Sequence, residues 1–292
     1  PSLATGTVAI GGTLGSLIPP SVLFILYGIF AEQSIARLFI AAIIPGLISL
    51  LAYILVIYFW VKIRPEVAPQ PDETISREAR MKSLLDCWAI LALFVVVIGG
   101  IYIGLFTPTE AAGVGASATL ILGLLLGRLK TDGALRALKE SVFQTSMIFV
   151  IAIGGKLFVN FIALTGLANE ITFWIESTDA SMFVVIGLIV VMYIFLGMFL
   201  DPIGIILLSL PLTIPIVEAY GLSLIWFGVV VVKLLEIGLV TPPIGLNVFV
   251  IKSIVDKTIK LESIFKGVGL FLVAEVFVLA LIICVPAVSL LL

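Results

Sequence analysis

Long apolar runs alternate with short polar connections along most of this 292-residue chain. A helix needs about 20 apolar residues to span the hydrocarbon core of a bilayer. Five of the runs are about that long: Leu38 to Val61, Leu84 to Leu105, Phe143 to Leu164, Phe183 to Leu200 and Val268 to Val288. Hydrophobic residues make up 62% of the chain and charged residues 12%, whereas a soluble domain carries roughly twice that charge. The pattern predicts an all-α polytopic membrane protein.

Most basic residues fall in three connections, and their distribution predicts the orientation of the helices. The connections 107–110, 166–180 and 219–223 contain none. Cytoplasmic loops carry the excess of Lys and Arg, so the three basic connections are expected in the cytoplasm: Lys62, Arg64, Arg77, Arg80 and Lys82; Arg128, Lys130, Arg136 and Lys139; Lys252, Lys257, Lys260 and Lys266. The stretch Phe183 to Val217 must then begin and end outside, which predicts a re-entrant hairpin.

Two passages interrupt the helical pattern, Gly11 to Ser21 and Gly238 to Asn247, and each contains a Pro-Pro pair. Proline has no backbone N–H and frees carbonyls earlier in the helix, so each helix is expected to unwind. Each break is followed by a short segment and then by a long helix, and the orientation makes these two long helices run in opposite directions. This arrangement is typical of inverted-repeat transporters with discontinuous helices around a midplane site, although two ordinary proline kinks are the simpler alternative.

Unwound carbonyls and nearby hydroxyls are oxygen ligands of the kind that a hard monovalent cation such as Na⁺ requires. Asn247, one turn beyond the second break, offers an amide to substrate or ion. The sequence therefore predicts sodium sites from Gly12, Thr13, Ser16 and Ser21 at the first break, and from Gly238, Thr241 and Gly245 at the second.

Asp201 lies between the two arms of the predicted hairpin and is followed by Pro202. One interpretation is a helix N-cap with proline at the first helical position. The other is a carboxylate near the membrane midplane that binds a cation, since ionisable groups at that depth are usually functional. Both interpretations remain open, and Asp201 joins the candidate sodium ligands.

Two lysines lie within apolar runs. Lys233 and Glu236 are three residues apart, which predicts an ion pair that neutralises both charges. Lys156 and Asn160 share one helix face, and no acid lies within a turn of Lys156. Lys156 must therefore face water, another helix that carries an acid, or an anionic substrate. Lys156, Asn160 and Asn247 are the candidate substrate residues.

Several functional classes are disfavoured by the residue types. The chain has no histidine, and Cys87 and Cys284 form no ligand cluster, so zinc, heme and copper sites and His-activated nucleophiles are not expected. There is no Gly-x-Ser-x-Gly elbow or Asp-Asp pair for an intramembrane enzyme. No basic patch with aromatic residues suggests nucleic acid. These absences favour a transporter over an enzyme. A channel is a further alternative, and uptake measurements that show saturation and slow turnover would argue against it.

Four motifs, in chain order, resemble the large membrane subunit of tripartite ATP-independent periplasmic (TRAP) transporters. They are Gly-Gly-Thr-Leu-Gly-Ser-Leu-Ile-Pro-Pro-Ser at 11–21, Gly-Leu-Phe-Thr-Pro-Thr-Glu-Ala-Ala at 104–112, Gly-Met-Phe-Leu-Asp-Pro at 197–202 and Gly-Leu-Val-Thr-Pro-Pro-Ile-Gly-Leu-Asn at 238–247. Roughly the N-terminal third of the family's chain, including its first hairpin, has no counterpart here. Either the chain is partial or that part is carried elsewhere.

The resemblance implies an inverted-repeat, elevator-type transporter in the bacterial inner membrane. It implies Na⁺-driven uptake of an organic acid, a periplasmic binding protein that delivers the acid, and a small membrane subunit that braces the scaffold. A stand-alone dicarboxylate or citrate-type permease is the alternative. The predicted parts are a discontinuous transport-domain helix at 1–31, a scaffold helix at 32–62, a cytoplasmic loop at 63–84, helices beginning the second repeat at 85–165, the re-entrant hairpin and second discontinuous helix at 166–256, and a C-terminal scaffold helix at 257–292.

Overall fold

The structure, a computed structural model, describes residues 2–68, 76–167 and 180–291, together with Glu170, Ile171, Phe173, Ser177 and Thr178. Five described helices are long and apolar enough to cross a membrane, and the number rises to seven if each of two bent helix pairs forms one span. The prediction of an all-α polytopic membrane protein is confirmed. The chain divides into two compact units, one from residues 1–68 and 151–292 and the other from residues 69–150.

The helices of the first unit fall into two similar series separated by a hairpin. The first series is α1 (Ser2–Leu17), α2 (Val22–Phe30) and α3 (Ile35–Ile63). The second unit contains α4 (Arg77–Asp86), α5 (Trp88–Tyr102), α6 (Pro108–Leu125) and the start of α7 (Thr131–Thr165). The hairpin is α8 (Met182–Gly197) and α9 (Pro202–Ala219), and the second series is α10 (Leu224–Val240), α11 (Leu246–Ile254) and α12 (Leu261–Cys284), followed by the short α13 (Ala287–Leu290).

The two series repeat one architecture. Helices of 16, 9 and 29 residues follow one another in the first, and helices of 17, 9 and 24 residues in the second. In both, the interruption between the first and second helix contains the Pro-Pro pair, and both Pro-Pro bonds are cis. The bend between α1 and α2 is 40°. The two predicted discontinuous helices are therefore present in the structure.

The long helices α3 and α12 run in opposite directions, as the orientation argument predicts. Tyr53 of α3 packs its ring against Phe271 of α12, with centroids 5.6 Å apart. Four residues earlier on α3, Ser49 accepts a hydrogen bond from Lys233, which also forms an ion pair with Glu275, four residues later on α12. Because the paired positions ascend on one helix and descend on the other, the helices are antiparallel.

Helices α8 and α9 form a closed hairpin. Near its base, the Tyr220 hydroxyl donates to the Ala180 carbonyl at 2.7 Å. Midway along, the Ser209 and Tyr193 hydroxyls are 2.6 Å apart. The helix-turn-helix of the predicted hairpin is confirmed, whereas its re-entrant position in the membrane stays a prediction. Part of the connection that leads into it, within residues 168–179, lies outside the described residues.

The second unit contains one helix that the sequence did not predict, α4, and a capped start of α6. Thr107 and Glu110 form a capping box at that start, with the Thr107 N–H donating to Glu110 Oε2 at 2.8 Å. The predicted cytoplasmic loop at 63–84 contains the start of α4, whose first turn is capped by Ser76 through a bond from the Ala79 N–H at 3.1 Å. Residues 69–75 of this loop lie outside the described residues. The cytoplasmic position of residues 63–84 stays a prediction.

Helices α3 and α12, which the sequence assigned to a scaffold, pack against α1 and α10 within the first compact unit. Their shared core includes Ile10 of α1, Tyr53 of α3, Val240 of α10 and Phe271 of α12. The assignment of α3 and α12 to a scaffold stays a prediction.

Candidate ion and substrate site at the helix breaks

The first break leaves two carbonyls without their helical donors. Residues 19 and 20 are prolines and have no N–H, so the carbonyls of Gly15 and Ser16, four residues earlier, lose the bonds of a continuous helix. The buried Ser21 hydroxyl donates to the Ser16 carbonyl across the break. Ser21 also begins α2, since its hydroxyl oxygen accepts from the Phe24 N–H at 3.4 Å. Of the predicted residues, Ser16 and Ser21 are therefore brought together directly.

Thr13, one turn before the break, is buried with a relative exposure of 1%. Its hydroxyl donates to the Ile10 carbonyl at 2.7 Å and lies 3.5 Å from the Tyr53 hydroxyl. A hydroxyl that donates its proton to a carbonyl keeps its oxygen lone pairs, which a cation can use. The geometry thus presents Thr13 as an oxygen ligand that is already oriented.

The second break repeats this chemistry. The carbonyls of Gly238 and Leu239 lose their helical donors because positions 242 and 243 are prolines. Gly238 accepts instead from the Thr241 N–H at 3.1 Å, and the Thr241 hydroxyl donates to the Ile237 carbonyl at 2.6 Å. Gly245 begins α11 with φ of 58°, a left-handed conformation that favours glycine. The Leu239 carbonyl was not among the residues predicted at this break, although the position of Pro243, four residues later, indicates that it loses its helical donor.

The two breaks approach each other through Asn247. A methyl group built on Gly12 would lie 3.8 Å from Asn247 Nδ2, so the amide side chain that follows the second break lies beside α1, just over one turn before the first break. The hairpin also reaches the second break, because Gly197 at the end of α8 packs on Gly238, where a methyl group would come within 2.9 Å of the facing Cα. Both helix breaks and one end of the hairpin therefore meet in the first unit.

Asp201 is the N-cap of α9. Its carboxylate accepts from the Gly204 N–H at 3.0 Å, and Pro202 occupies the first helical position. Capping is thus confirmed, and the carboxylate is exposed. A cap uses only part of the acceptor capacity of a carboxylate, so a role in cation binding stays a prediction. Asp201 lies four residues beyond Gly197, at the hairpin end that reaches the second break.

Lys156 and Asn160 lie on α7 and are both exposed. The neighbouring Gly155 is buried against Leu207 of α9, where a methyl group would come within 3.0 Å of the Leu207 side chain. Within the part of the chain that the structure describes, Lys156 forms no ion pair. The glycine brings α7 close to the hairpin and leaves Lys156 available to an anion.

Lys233 is the centre of a fully buried charge cluster. Its ammonium donates to Glu236 Oε2 at 3.1 Å and to Ser49 Oγ at 2.8 Å, and it forms an ion pair with Glu275. The relative exposures of the three charged side chains are 0–1%. The predicted pair of Lys233 and Glu236 is confirmed. The sequence analysis missed Glu275 and Ser49, although an acid within the last apolar run was a usable signal.

Comparison with known proteins places this arrangement in a family. Residues 1–288 match the family described as "Tripartite ATP-independent periplasmic transporter, DctM component". The chain belongs to this family. It is 34% identical over 290 residues to the sialic acid TRAP transporter large permease protein SiaM of Vibrio cholerae, and 32% identical over 290 residues to the C4-dicarboxylate TRAP transporter large permease protein DctM of Pseudomonas aeruginosa. Each alignment covers 99% of this chain and 67% of the relative.

Membership in the TRAP large permease family confirms three predictions made from the sequence. The four motifs identified the family correctly. The chain is a multi-pass protein of the bacterial inner membrane, and its relatives are permease proteins rather than enzymes. The chain spans about two thirds of the length of these relatives.

Proposed function

We propose that this TRAP large permease couples entry of Na⁺ to import of an organic acid. The observation that carries the proposal is the proximity of the two Pro-Pro breaks, since Asn247 lies beside Gly12. At both breaks, carbonyls that have lost their helical donors accompany oriented hydroxyls. Such a set suits a monovalent cation, because the oxygens at the breaks are neutral and a hard cation takes oxygen ligands. The proposed ligands are those predicted from the sequence at both breaks, with Asp201 at the hairpin end.

The substrate is proposed to be a carboxylate. Relatives of this chain are named for sialic acid and for C4-dicarboxylates, both of which carry carboxylate groups. Lys156, Asn160 and Asn247 supply a cation and two amides, the groups that bind a carboxylate and its hydroxyl-bearing neighbours. The family is tripartite and periplasmic by description, which supports a small membrane subunit and a periplasmic binding protein as partners. An elevator movement of the ion-binding helices completes the proposal.

The experiment that tests this function is uptake into proteoliposomes that contain the complete permease with its small subunit. Organic-acid uptake is expected only when the periplasmic binding protein is added on the outside. Uptake that is equally fast without the binding protein would contradict the TRAP mechanism and favour the stand-alone carboxylate permease.

Replacing Lys156 by methionine is expected to raise the apparent KM for the organic acid about tenfold or more, because a hydrogen bond to a charged group is lost. The fraction of folded protein should not change, since Lys156 is exposed. Lys139→Met, on the same helix and also exposed, serves as the matched control and should leave KM unchanged. A Lys156→Met variant with unchanged KM and lower thermal stability would show that Lys156 is a structural residue instead.

A further inference from the structure

A long apolar groove lies between α3 and α12 on the surface of the first unit. Its volume is about 880 Å³, within the range of roughly 300–1,000 Å³ typical of ligand pockets. Its walls are aliphatic and aromatic side chains, several of them well exposed, including Phe277 at 72%. The main wall residues are Leu55, Val56, Phe59, Leu270, Val273 and Phe277.

Two basic side chains, those of Arg64 and Lys266, lie at one end of this groove. Arg64 follows the last residue of α3, and Lys266 lies in the second turn of α12. They share one end because the two helices are antiparallel. Within the residues that the structure describes, neither cation forms an ion pair, and both are exposed. The groove therefore combines apolar walls with two basic side chains at one end.

The dimensions of the groove match one leaflet of a bilayer. From Ala52 to Arg64 is twelve residues, or about 18 Å along a helix, and one leaflet contributes about 15 Å of hydrocarbon. Trp60, which also lines the groove near the cations, is of the type found at the membrane interface. The cations belong to the connections that the positive-inside rule assigns to the cytoplasm, so the groove spans the cytoplasmic leaflet.

We propose that this groove binds an anionic phospholipid of the cytoplasmic leaflet. The phosphate lies between Arg64 and Lys266, and an acyl chain follows the apolar walls towards Ala52. Basic pockets between membrane helices on the cytoplasmic side suit such head groups. Apart from the two cations, Ser2 is the polar residue of the lining, so an extended protein segment would find few partners for its backbone, whereas an acyl chain needs none. The proposal depends on neither the substrate nor the coupling ion.

The test uses the complete permease with its small subunit in detergent micelles that contain phosphatidylglycerol or phosphatidylcholine, each brominated on its acyl chains. Bromine quenches nearby tryptophan fluorescence, and the signal from Trp60 is obtained by subtracting the Trp60→Phe variant. Half-maximal quenching is expected at about tenfold less phosphatidylglycerol than phosphatidylcholine. The double variant Arg64→Gln, Lys266→Gln should reduce this preference to within twofold, because the phosphate loses both cations.

Lys62→Gln is the matched control, since Lys62 lies two residues from Arg64 but packs over the Tyr58 ring outside the groove lining. It should keep the tenfold preference. The proposal is overturned if the double variant keeps the preference of the wild type, or if the control loses it as fully as the double variant. It is equally overturned if neither lipid quenches Trp60, which would show that a protein segment or the small subunit covers the groove.

Discussion

Replacing Lys233 by methionine is expected to destabilise the folded permease by about 3–5 kcal/mol, the cost of removing one partner of a buried ion pair. Glu236 and Glu275 would remain with relative exposures of 1% and without their shared cation. The same lysine also links Ser49 of α3 to α10 and α12. A large loss of monodisperse protein on heating in detergent is therefore expected.

A neutral version of the cluster distinguishes this explanation from a simple packing defect. The triple variant Lys233→Met, Glu236→Gln, Glu275→Gln removes all three charges and should recover most of the lost stability, since buried ion pairs are often replaceable by neutral groups. Lys156→Met removes a lysine that is exposed and should leave the melting temperature unchanged. If the triple variant were no more stable than Lys233→Met alone, stranded charge would not be the cause.

Replacing Thr241 by alanine is expected to raise the Na⁺ concentration for half-maximal uptake about tenfold, because a preoriented hydroxyl oxygen is lost from the second break. A hydrogen bond or ligand contact to a charged group contributes about 1.5–3 kcal/mol, and tenfold corresponds to about 1.4 kcal/mol. Weaker ion binding also lowers substrate affinity, since coupled sites affect each other reciprocally. Asp201→Ala should act in the same direction if its carboxylate binds the cation as well as capping α9.

Thr119 provides a matched control for Thr241. Its hydroxyl donates to the carbonyl four residues earlier at 2.7 Å, as the Thr241 hydroxyl does at 2.6 Å, but Thr119 lies within the unbroken helix α6. Thr119→Ala should leave Na⁺ dependence unchanged. Wild-type Na⁺ dependence in Thr241→Ala would remove this residue from the ion site, and the same result in Asp201→Ala would leave Asp201 as a cap only.

The features that the sequence predicted depend on local chemistry. A Pro-Pro pair removes donors wherever it occurs, so both helix breaks were predictable from residues 19–20 and 242–243. The N-cap at Asp201 follows from the adjacent Pro202, which occupies the first helical position. The repeat of short and long helices after each break followed from the lengths of the apolar runs.

The features that the sequence could not predict depend on contacts between distant helices. Lys233 was paired correctly with Glu236, one turn away, whereas its contact with Ser49 spans 184 positions. The approach of Asn247 to Gly12 likewise joins two helices that no local pattern connects. The start of α4 inside the predicted loop was missed for another reason, because Ser76 is a readable N-cap but the helix is too polar to stand out among apolar runs.

Na⁺ entry is proposed to drive organic-acid uptake through the site between the two breaks. The most direct test of this coupling is uptake of the acid into proteoliposomes that contain the complete permease, with the binding protein outside and an imposed Na⁺ gradient at constant membrane potential and pH. An inward Na⁺ gradient should produce accumulation of the acid above its external concentration, and an equal K⁺ gradient should not. Accumulation that is the same with K⁺ as with Na⁺, or that needs neither gradient, would contradict the claim.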